Sequence, residues 1–377
     1  MSPEFALRYF LPAAAFVIGA CIGSFLNVVI YRLPNGLRVN EPRRSFCPAC
    51  KRQIPFYLNI PLVSWVMLGG KCRWCGASIS FRYFLVELLT AFVFLAVWLH
   101  AFSAQGWGAT LALWSFVALL IAATYIDLDH FIIPDSITLG GLGAGLVASF
   151  FFPALHGEDS MWRGLVMALA GAALGYGLLW LVVLMGKMMF GKIAHQFDEP
   201  VPFTISQPGG EETPILIKLG DHEYDWQEVF FREWDRMEMD VDSLAIDGAS
   251  REIRESFHVV PDGFEIDGEK VSLETVKTVS GTVRSAVVPR EAMGFGDVKF
   301  IAMIGAFLGW QAVLFTIFSA SVIGAVVGVA QKIGLRETWS RPLPFGPYLA
   351  LGAFLWLFTG PALWMWYLRF VRDAMGR

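Results

Sequence analysis

Long apolar stretches alternate with short polar connections along most of the chain. Apolar runs lie near residues 9–31, 83–104, 108–126, 136–155, 163–190, 298–310, 312–334 and 344–371. A helix of about 20 apolar residues crosses a hydrocarbon core of about 30 Å, so most of these runs are long enough to span a bilayer. The pattern predicts an α-helical, polytopic membrane protein of about eight transmembrane helices, of which 298–310 is the shortest.

Residues 191–292 break this pattern and read as a small, mostly β soluble insert. Asp-Gly pairs at 262–263 and 267–268 are typical of tight turns between strands. The predicted strands are 215–217, 264–266, 270–273 and 285–288, and a short helix is predicted over 226–237. The pattern therefore divides the chain into a first transmembrane helix (1–31), a loop (32–82), helices two to five (83–190), the insert (191–292), and a final helical part (293–377).

The composition supports a membrane protein in which one segment differs from the rest in its charge balance. The 377 residues are 55% hydrophobic and 16% charged, whereas a soluble domain has about 25% charged residues. Residues 191–292 hold 22 acidic and 10 basic side chains, and the rest of the chain holds 11 acidic and 19 basic ones. The sequence has no basic patch with interleaved aromatic residues, so nucleic-acid binding is not predicted.

The loop between the first two predicted spans sets the orientation. It has one acidic residue, Glu41, and these basic ones: Arg32, Arg38, Arg43, Arg44, Lys51, Arg52, Lys71, Arg73 and Arg82. The positive-inside rule makes this loop cytoplasmic. Alternation then places 127–135 and 191–292 in the cytoplasm and the C-terminus outside, although the last residues include Arg369, Arg372 and Arg377.

Four of the five cysteines form two Cys-x-x-Cys pairs in that loop, Cys47 with Cys50 and Cys72 with Cys75. Two such pairs, here 21 residues apart, are typical of a tetrathiolate metal site, most often for Zn²⁺. Iron in a rubredoxin-like site fits the spacing as well. Four thiolates fill the coordination sphere, so we expect a structural ion. A redox pair or disulfides would suit a cytoplasmic loop poorly, because thiols there stay reduced.

Two aspartates at predicted span ends are the candidate catalytic residues. Asp127 follows the third predicted helix, and Asp297 follows Gly294-Phe295-Gly296 where the insert ends. The predicted topology brings both to the cytoplasmic face. Two carboxylates that meet there can share one proton, one acting as a general base on water and the other polarising a scissile carbonyl. The glycines would let the backbone approach a substrate strand.

Other polar residues have simpler interpretations. Asp297, and Asp135 in the following segment, would also suit helix N-caps. Asp129 and His130 are expected to be solvated loop residues. Asn27 is expected to form an interhelical hydrogen bond, and Cys21 to be a buried packing residue. Glu87 either pairs with Arg82 or belongs to a further site.

Several motifs, taken together, resemble those of the type IV prepilin peptidases. These are the first-helix run from Gly23 to Pro34, the two Cys-x-x-Cys pairs, the segments 82–87 and 126–135, the run from Arg290 to Lys299, and Pro344 to Tyr348. These motifs cover residues 19–92, 120–190 and 290–360, and they follow one another in the same order as in the family. Asp127 and Asp297 match that family's protease aspartates, and Cys47, Cys50, Cys72 and Cys75 match its zinc-type cysteines. Asp129 is the alternative to Asp127.

The resemblance implies a bifunctional enzyme of the bacterial inner membrane. It would cleave the short basic leader of type IV prepilins, or of type II secretion pseudopilins, on the cytoplasmic face. It would then methylate the new N-terminal amine with S-adenosylmethionine, for which no nucleotide motif marks a site. The acidic insert departs from the family pattern. Its negative charge would attract a basic leader, or the insert is a tolerated, solvated addition.

Two rival functions share some of these features. An intramembrane protease of the Gly-x-Gly-Asp type would have the aspartate pair but would leave the double Cys-x-x-Cys loop unexplained. A transporter or assembly scaffold would use the aspartates to bind protons or to cap helices.

Overall fold

A computed structural model describes residues 9–42, 45–190, 192–206, 215–230, 235–251, 256–289, 294–335 and 344–375. The chain divides into two compact units. One comprises residues 1–180 and 294–377, and the other comprises residues 181–293. The first unit is helical and contains every candidate site residue, whereas the second contains the acidic segment.

Six of the described α-helices are long, and their sequences are apolar on nearly every face. The described α-helices are α1 (Leu11–Arg32), α2 (Val63–Met67), α3 (Phe81–His130), α4 (Asp135–Phe151), α5 (Met161–Phe190), α6 (Trp226–Val229), α7 (Phe295–Leu335) and α8 (Gly346–Ala374). Over the described ranges, five helices are long and apolar enough to cross a membrane, namely α1, α3, α5, α7 and α8, while α4 is shorter. The membrane-protein prediction is confirmed at this level, but the count of eight spans is not.

The longest helix, α3, turns back on itself at Gly106. Gly106 has φ 78° and ψ −176°, a backbone conformation that few side chains tolerate. The rings of Phe94 and Trp114 stack with centroids 5.0 Å apart, and Trp114 Nε1 donates to the Phe94 carbonyl at 2.9 Å. In a continuous helix these two residues would be about 30 Å apart. The segments on either side of Gly106 are therefore two packed antiparallel helices.

A second break divides α7 at Gly309, which has φ 81°. A side chain there would meet His156 Nδ1 at 3.2 Å. His156 belongs to a short 3₁₀ turn after α4, and its Nε2 lies 2.8 Å from Ser149 Oγ, which donates to the Ala306 carbonyl at 3.0 Å. Burial lowers the pKa of His156 to about 4, so the ring is neutral and ties the end of α4 to the bend in α7.

Pairs of glycines four residues apart bring the helices into close contact. A Cβ at Gly19 or Gly23 of α1 would lie 2.7 Å from the Cα of Ala91 or Glu87 of α3. A Cβ at Gly171 of α5 would lie 2.3 Å from the Gly305 carbonyl oxygen of α7. Small residues at this spacing allow helices to pack at short range in a bilayer, where hydrophobic burial does not drive association.

In its described residues, the second unit is a nine-stranded antiparallel sheet with one short α-helix, α6. Its strands are β1 (Lys192–Ser206), β2 (Leu216–Leu219), β3 (His222–Asp225), β4 (Met237–Ile246), β5 (Ala249–Arg251), β6 (Phe257–Val260), β7 (Gly263–Ile266), β8 (Glu269–Ser272) and β9 (Thr278–Pro289). The order is β3-β2-β1-β9-β4-β6-β7-β8, with β5 paired to β4. The predicted β-rich segment and its turns are confirmed, including the Asp267-Gly268 hairpin, whose residues have φ 50° and 84°.

This sheet curls until its distant strands share one core. Phe203 of β1 and Phe257 of β6 have ring centroids 6.0 Å apart, although two strands separate them in the sheet. In a flat sheet that separation would be about 14 Å. Trp226, which follows β3, reaches Phe264 of β7 at 6.2 Å. Register shifts in β1 after Gln196 and in β4 around Val241 produce the bends.

The predicted helix over 226–237 is wrong at its C-terminal end. The helix stops at Val229, and Met237 already begins β4, where Met237 and Met239 are buried and Glu238 between them is exposed. That alternation is the period of a strand. Residues 231–234 lie outside the described part of the chain.

Candidate active site and metal centre

Asp127 occupies the last turn of α3, where the sequence changes from apolar to polar. The helix ends because Phe131 adopts a left-handed conformation, with φ 55° and ψ 28°. The Phe131 N–H donates to the Asp127 carbonyl at 2.9 Å. The Asp127 side chain is buried, with 5% of its surface exposed. An acidic side chain buried at the end of a candidate span is a functional candidate by default.

Asp297 lies in the first turn of α7, directly after the glycine-rich segment. Its N–H donates to the Gly294 carbonyl at 3.2 Å, and 8% of the residue is exposed. Its Oδ1 is fully buried and has no hydrogen-bond partner in the described ranges. Residues 290–293 of the predicted motif lie outside those ranges. The buried, unpartnered oxygen is therefore available for a substrate or water.

The start of α8 joins the two aspartates. The Gly346 N–H donates to Asp127 Oδ2 at 3.0 Å. A Cβ at Gly346 would meet that oxygen at 2.6 Å and Ile133 Cδ1 at 2.9 Å. Ile133 in turn lies 3.4 Å from the Cβ position of Gly296, the residue before Asp297. The ends of α3, α7 and α8 thus meet around two buried carboxylates.

Neither buried aspartate is neutralised by a cation. Within the parts of the chain that the structure describes, the ion pairs involve other acids, and none includes Asp127 or Asp297. Buried acids without a counter-ion are costly and occur mainly where they have a chemical role. The arrangement has the components of a general-base and general-acid carboxyl pair acting on a water molecule.

Asp129, the alternative catalytic residue, has a different environment. It is exposed to solvent, as predicted, but it belongs to the last turn of α3 rather than to a loop and pairs with Arg82 at 2.6 Å. Arg82 also donates to the Tyr125 carbonyl at 3.2 Å and lies over the Tyr125 ring at 4.9 Å. The Asp129 carboxylate is therefore already occupied by a neighbouring cation, whereas that of Asp127 is not.

Asp135 links α4 to α7 rather than capping its own helix. Its Oδ1 accepts from Lys299 Nζ at 2.6 Å. Position 135 is the first residue of α4, and the preceding Pro134 gives no side-chain cap. Lys299 is two residues beyond Asp297. The pair therefore fixes the first turn of α7 against the start of α4, next to Asp297.

The four loop cysteines converge as predicted. The sulfur atoms of Cys47, Cys50, Cys72 and Cys75 all lie within 4.8 Å of one another, and the Cys47 and Cys75 sulfurs are 3.8 Å apart. Tetrahedral coordination with Zn–S bonds of about 2.3 Å requires sulfur atoms about 3.8 Å apart. The cluster therefore fits a metal ion held by four thiolates.

The two halves of this cluster have the same local fold. After each pair the next residue has positive φ, 58° at Lys51 and 71° at Gly76. A backbone bridge closes each turn, from Phe46 to Gln53 and from Lys71 to Ser78. Each bridge joins the residue before the first cysteine to the residue three after the second. The equal Cys-x-x-Cys spacing is the sequence signal of this repeat, which was not among the predictions.

Three other polar or sulfur-containing residues have defined positions. Asn27 of α1 donates to the Tyr83 carbonyl of α3 at 3.0 Å, which confirms the interhelical hydrogen bond. Cys21 is exposed, so its predicted burial is wrong. The buried stripe of α1 passes through Gly19, Gly23 and Leu26, and position 21 lies on another face. Glu87 does not pair with Arg82 but accepts from the Leu62 N–H at 2.7 Å.

Comparisons with known proteins agree with this geometry. Residues 17–101 match the description "Bacterial Peptidase A24 N-terminal domain", and residues 114–192 and 265–329 match "Type IV leader peptidase family". A prepilin leader peptidase/N-methyltransferase of Aeromonas hydrophila is 30% identical over 94% of this chain and 92% of its own length. Proteins of the same name from Stutzerimonas stutzeri and Pseudomonas aeruginosa are each 29% identical, over 95% and 94% of this chain and 94% and 92% of their own lengths. No solved structure matches significantly.

The family match passes over residues 193–264. The omitted stretch includes β1 except for its first residue, β2 to β6, the first half of β7 and most of the acidic segment, whereas the matched parts contain Asp127 and Asp297. Both aspartates therefore lie in the part of the chain that the family model matches.

Proposed function

Because the chain belongs to the type IV leader peptidase family, we propose that it is a two-aspartate prepilin peptidase and N-methyltransferase of the bacterial inner membrane. Its substrates would be type IV prepilins or type II secretion pseudopilins. It removes their short basic leader and then transfers a methyl group from S-adenosylmethionine to the new N-terminal amine. The observation that carries the proposal is that buried Asp127, at the end of α3, and buried Asp297, at the start of α7, are linked through the contacts of Gly346 and Ile133.

The cleavage step follows from the environments of the two carboxyl groups. Asp127 is fixed by the N–H of Gly346, so one of its oxygens is oriented and the other is left to activate a water molecule. Asp297, whose Oδ1 has no protein partner in the described ranges, supplies the proton that polarises the scissile carbonyl. Asp127 takes a proton from the water as the water adds to that carbonyl, and it passes this proton to the leaving amine as the peptide bond breaks; Asp297 regains its own proton when the carbonyl re-forms. Asp129 is excluded from this role because its carboxylate forms an ion pair with Arg82.

The substrate strand reaches these groups beside Gly294, which precedes α7, and Gly296, in the first turn of α7. A Cβ at Gly294 would lie 3.7 Å from Asp297 Oδ2, and one at Gly296 would contact Ile133. A side chain longer than a methyl group at Gly294 would occupy space next to Asp297 Oδ2. Gly294 and Gly296 therefore allow an extended backbone to approach the carboxylates.

We assign eight transmembrane segments with the aspartates on the cytoplasmic side. The breaks at Gly106 and Gly309 divide α3 and α7 into two segments each, and α4 supplies a further short span. The basic loop over 32–82 favours a cytoplasmic location. Asp127 lies at the end of α3 farthest from the Gly106 turn and so returns to the side on which α3 begins.

The tetra-cysteine cluster holds a structural Zn²⁺ in this proposal. Zn²⁺ is the usual ion for two Cys-x-x-Cys turns, and the sulfur spacing agrees with tetrahedral coordination. Iron would fit the same geometry, so elemental analysis decides between them. Bound metal would supply folding free energy to a loop with few buried apolar side chains.

We also propose the domain boundaries that the sequence predicts, with residues 191–292 as a cytoplasmic insert. Pairing of Lys192 with Pro289 brings the ends of this segment together. Such an arrangement lets a folded domain be accommodated between two spans without displacing them.

The rival functions make different predictions for one reconstituted assay. The purified full-length protein is incubated with a purified prepilin and S-adenosylmethionine, and the pilin is analysed by intact mass. We expect loss of the leader followed by the mass gain of one methyl group. An intramembrane protease would instead cut within the hydrophobic segment of the prepilin. A transporter or scaffold would leave the prepilin intact, and either of these results would refute the proposed function.

A further inference from the structure

The aspartate site accounts for peptide cleavage but not for methyl transfer, which needs a second binding site. A cavity of about 420 Å³ lies between α1, the cysteine loop and the start of α3. Its volume is in the range of small-molecule sites, which are lined by apolar and aromatic side chains with a few polar groups. Neither Asp127 nor Asp297 lines it.

The cavity contains one buried cation without a counter-anion. Arg32, at the end of α1, is 4% exposed. Its Nη1 donates to the carbonyls of Val39 at 2.6 Å and Pro42 at 3.0 Å. In the described ranges no carboxylate lies within ion-pair distance of this guanidinium. A buried guanidinium held by neutral carbonyls is ready to bind a carboxylate ligand.

The same cavity contains one carboxylate without a counter-cation. Glu87 accepts hydrogen bonds from the Leu62 N–H at 2.7 Å and from Ser24, and neither of these donors is charged. Leu62 has φ 64° and ψ −49°, and the following N–H, of Val63, bonds back to Pro61 at 2.7 Å. This is a γ-turn of the rare, strained type. The strained turn aims its N–H at Glu87 and fixes that carboxylate in the cavity wall.

Aromatic rings form another part of the wall. Trp65 and Phe84, which are both lining residues, have ring centroids 5.3 Å apart. Trp65 Nε1 donates to the Ile79 carbonyl at 3.2 Å, which fixes the indole against the cysteine loop. Flat apolar faces of this kind accept a purine ring by stacking. Cys47 and Cys72 also line the cavity, so a bound metal would stabilise its wall.

We propose that this cavity binds S-adenosylmethionine, a zwitterionic sulfonium nucleoside. Arg32 binds the carboxylate of the methionine part, Glu87 faces the cationic part, and the purine stacks on Trp65 and Phe84. The inference rests on the proposed function, since it gives the second activity a site. The lone pair of the pilin N-terminal amine forms the N–CH₃ bond while the S–CH₃ electron pair remains on sulfur, leaving a neutral thioether. The proton that the amine loses passes to Glu87.

Titration of the full-length protein with S-adenosylhomocysteine, the unreactive product, tests this site. We expect Glu87→Gln to weaken binding by about tenfold or more, as loss of a charged contact would. Leader cleavage should remain at the wild-type rate while methylation falls. The matched control is Glu41→Gln, because Glu41 is an exposed acid of the same loop that does not line the cavity. It should bind as the wild type does. Wild-type binding and methylation by Glu87→Gln would overturn the inference.

Photo-crosslinking of S-adenosylmethionine to the wild type gives a test that needs no variant. Label should map to peptides that contain cavity-lining residues between 24 and 87. Label elsewhere would refute this site, as would a tightly bound phospholipid that occupies the cavity and is not displaced by the nucleoside. A wild type that neither cleaves nor methylates prepilin would instead refute the proposed function itself. The two failures are therefore distinguishable.

Discussion

The carboxylate of Asp127 accepts a hydrogen bond from the backbone N–H of Gly346 at 3.0 Å, although the two residues are 219 positions apart. Gly346 is the first residue of α8, so its N–H belongs to the positive end of a helix. This contact orients one oxygen of Asp127 and leaves the other free. It also explains why position 346 is a glycine, since any Cβ there would meet the carboxylate oxygen at 2.6 Å.

Substitution of Gly346 by alanine should therefore impair cleavage without removing an acidic group. The added methyl would displace the Asp127 carboxylate, and misplacement of a catalytic group by about 1 Å costs about a hundredfold in rate. The rate of prepilin cleavage by the purified variant checks this. Gly143→Ala in α4 is the matched control, because its Cβ would enter open space. Equal rates for Gly346→Ala and the wild type would contradict the proposed role of the contact.

The ion pair between Asp135 and Lys299 should affect the same reaction indirectly. Lys299→Asp should lower the cleavage rate by about fivefold or less, since a partly exposed pair contributes up to about 1 kcal/mol. Introducing Asp135→Lys as well should restore the rate. Reversing the exposed pair Arg38 and Glu41 should change nothing. A double variant as slow as the single one would show that the pair does not position α7.

The metal centre should lose its ion when one of its ligands is removed. We expect about one zinc ion per chain in the wild type and a large loss in Cys72→Ser, because three thiolates leave the tetrahedral site incomplete. Elemental analysis of purified protein measures this. Cys21→Ser is the control, since Cys21 is outside the cluster. A wild type without metal would overturn the tetrathiolate assignment, and one with iron would correct the ion.

The acidic insert can be removed with little strain on the rest of the chain. Lys192 and Pro289 are paired across β1 and β9, so a deletion of residues 193–289, which joins Lys192 to Arg290, removes a segment whose two ends are paired. If the negative charge of the insert recruits basic leaders, the deletion should raise KM for cleavage more than it lowers kcat, and added salt should reduce the difference. Unchanged cleavage of several prepilins would leave the insert without a required role.

The apolar pattern predicted the helices well because length and composition alone determine which segments can cross a bilayer. The clustering of the four loop cysteines could be predicted because the Cys-x-x-Cys spacing determines the geometry of each turn. The faces of the helices were harder to predict. Cys21 was expected to be buried, yet the buried side of α1 is marked by Gly19 and Gly23, a spacing that predicts helix contacts directly.

Contacts between distant segments were beyond the sequence. Glu87 was weighed against Arg82, its neighbour on the helix, whereas its observed partner is Leu62 in the cysteine loop. The ion pair of Asp129 with Arg82 was not predicted, because it requires the two ends of α3 to meet after the turn at Gly106. Gly346 was noted within a motif, but its role follows only from the fold.

The most direct test of the account is prepilin cleavage by Asp127→Asn and Asp297→Asn, with Asp129→Asn as the matched control. These substitutions preserve side-chain size and remove one ionisable group each. We predict no detectable leader removal by the first two variants. Asp129→Asn, which alters the ion pair with Arg82, should retain most of the activity. Normal processing by Asp127→Asn or Asp297→Asn would contradict the two-aspartate mechanism.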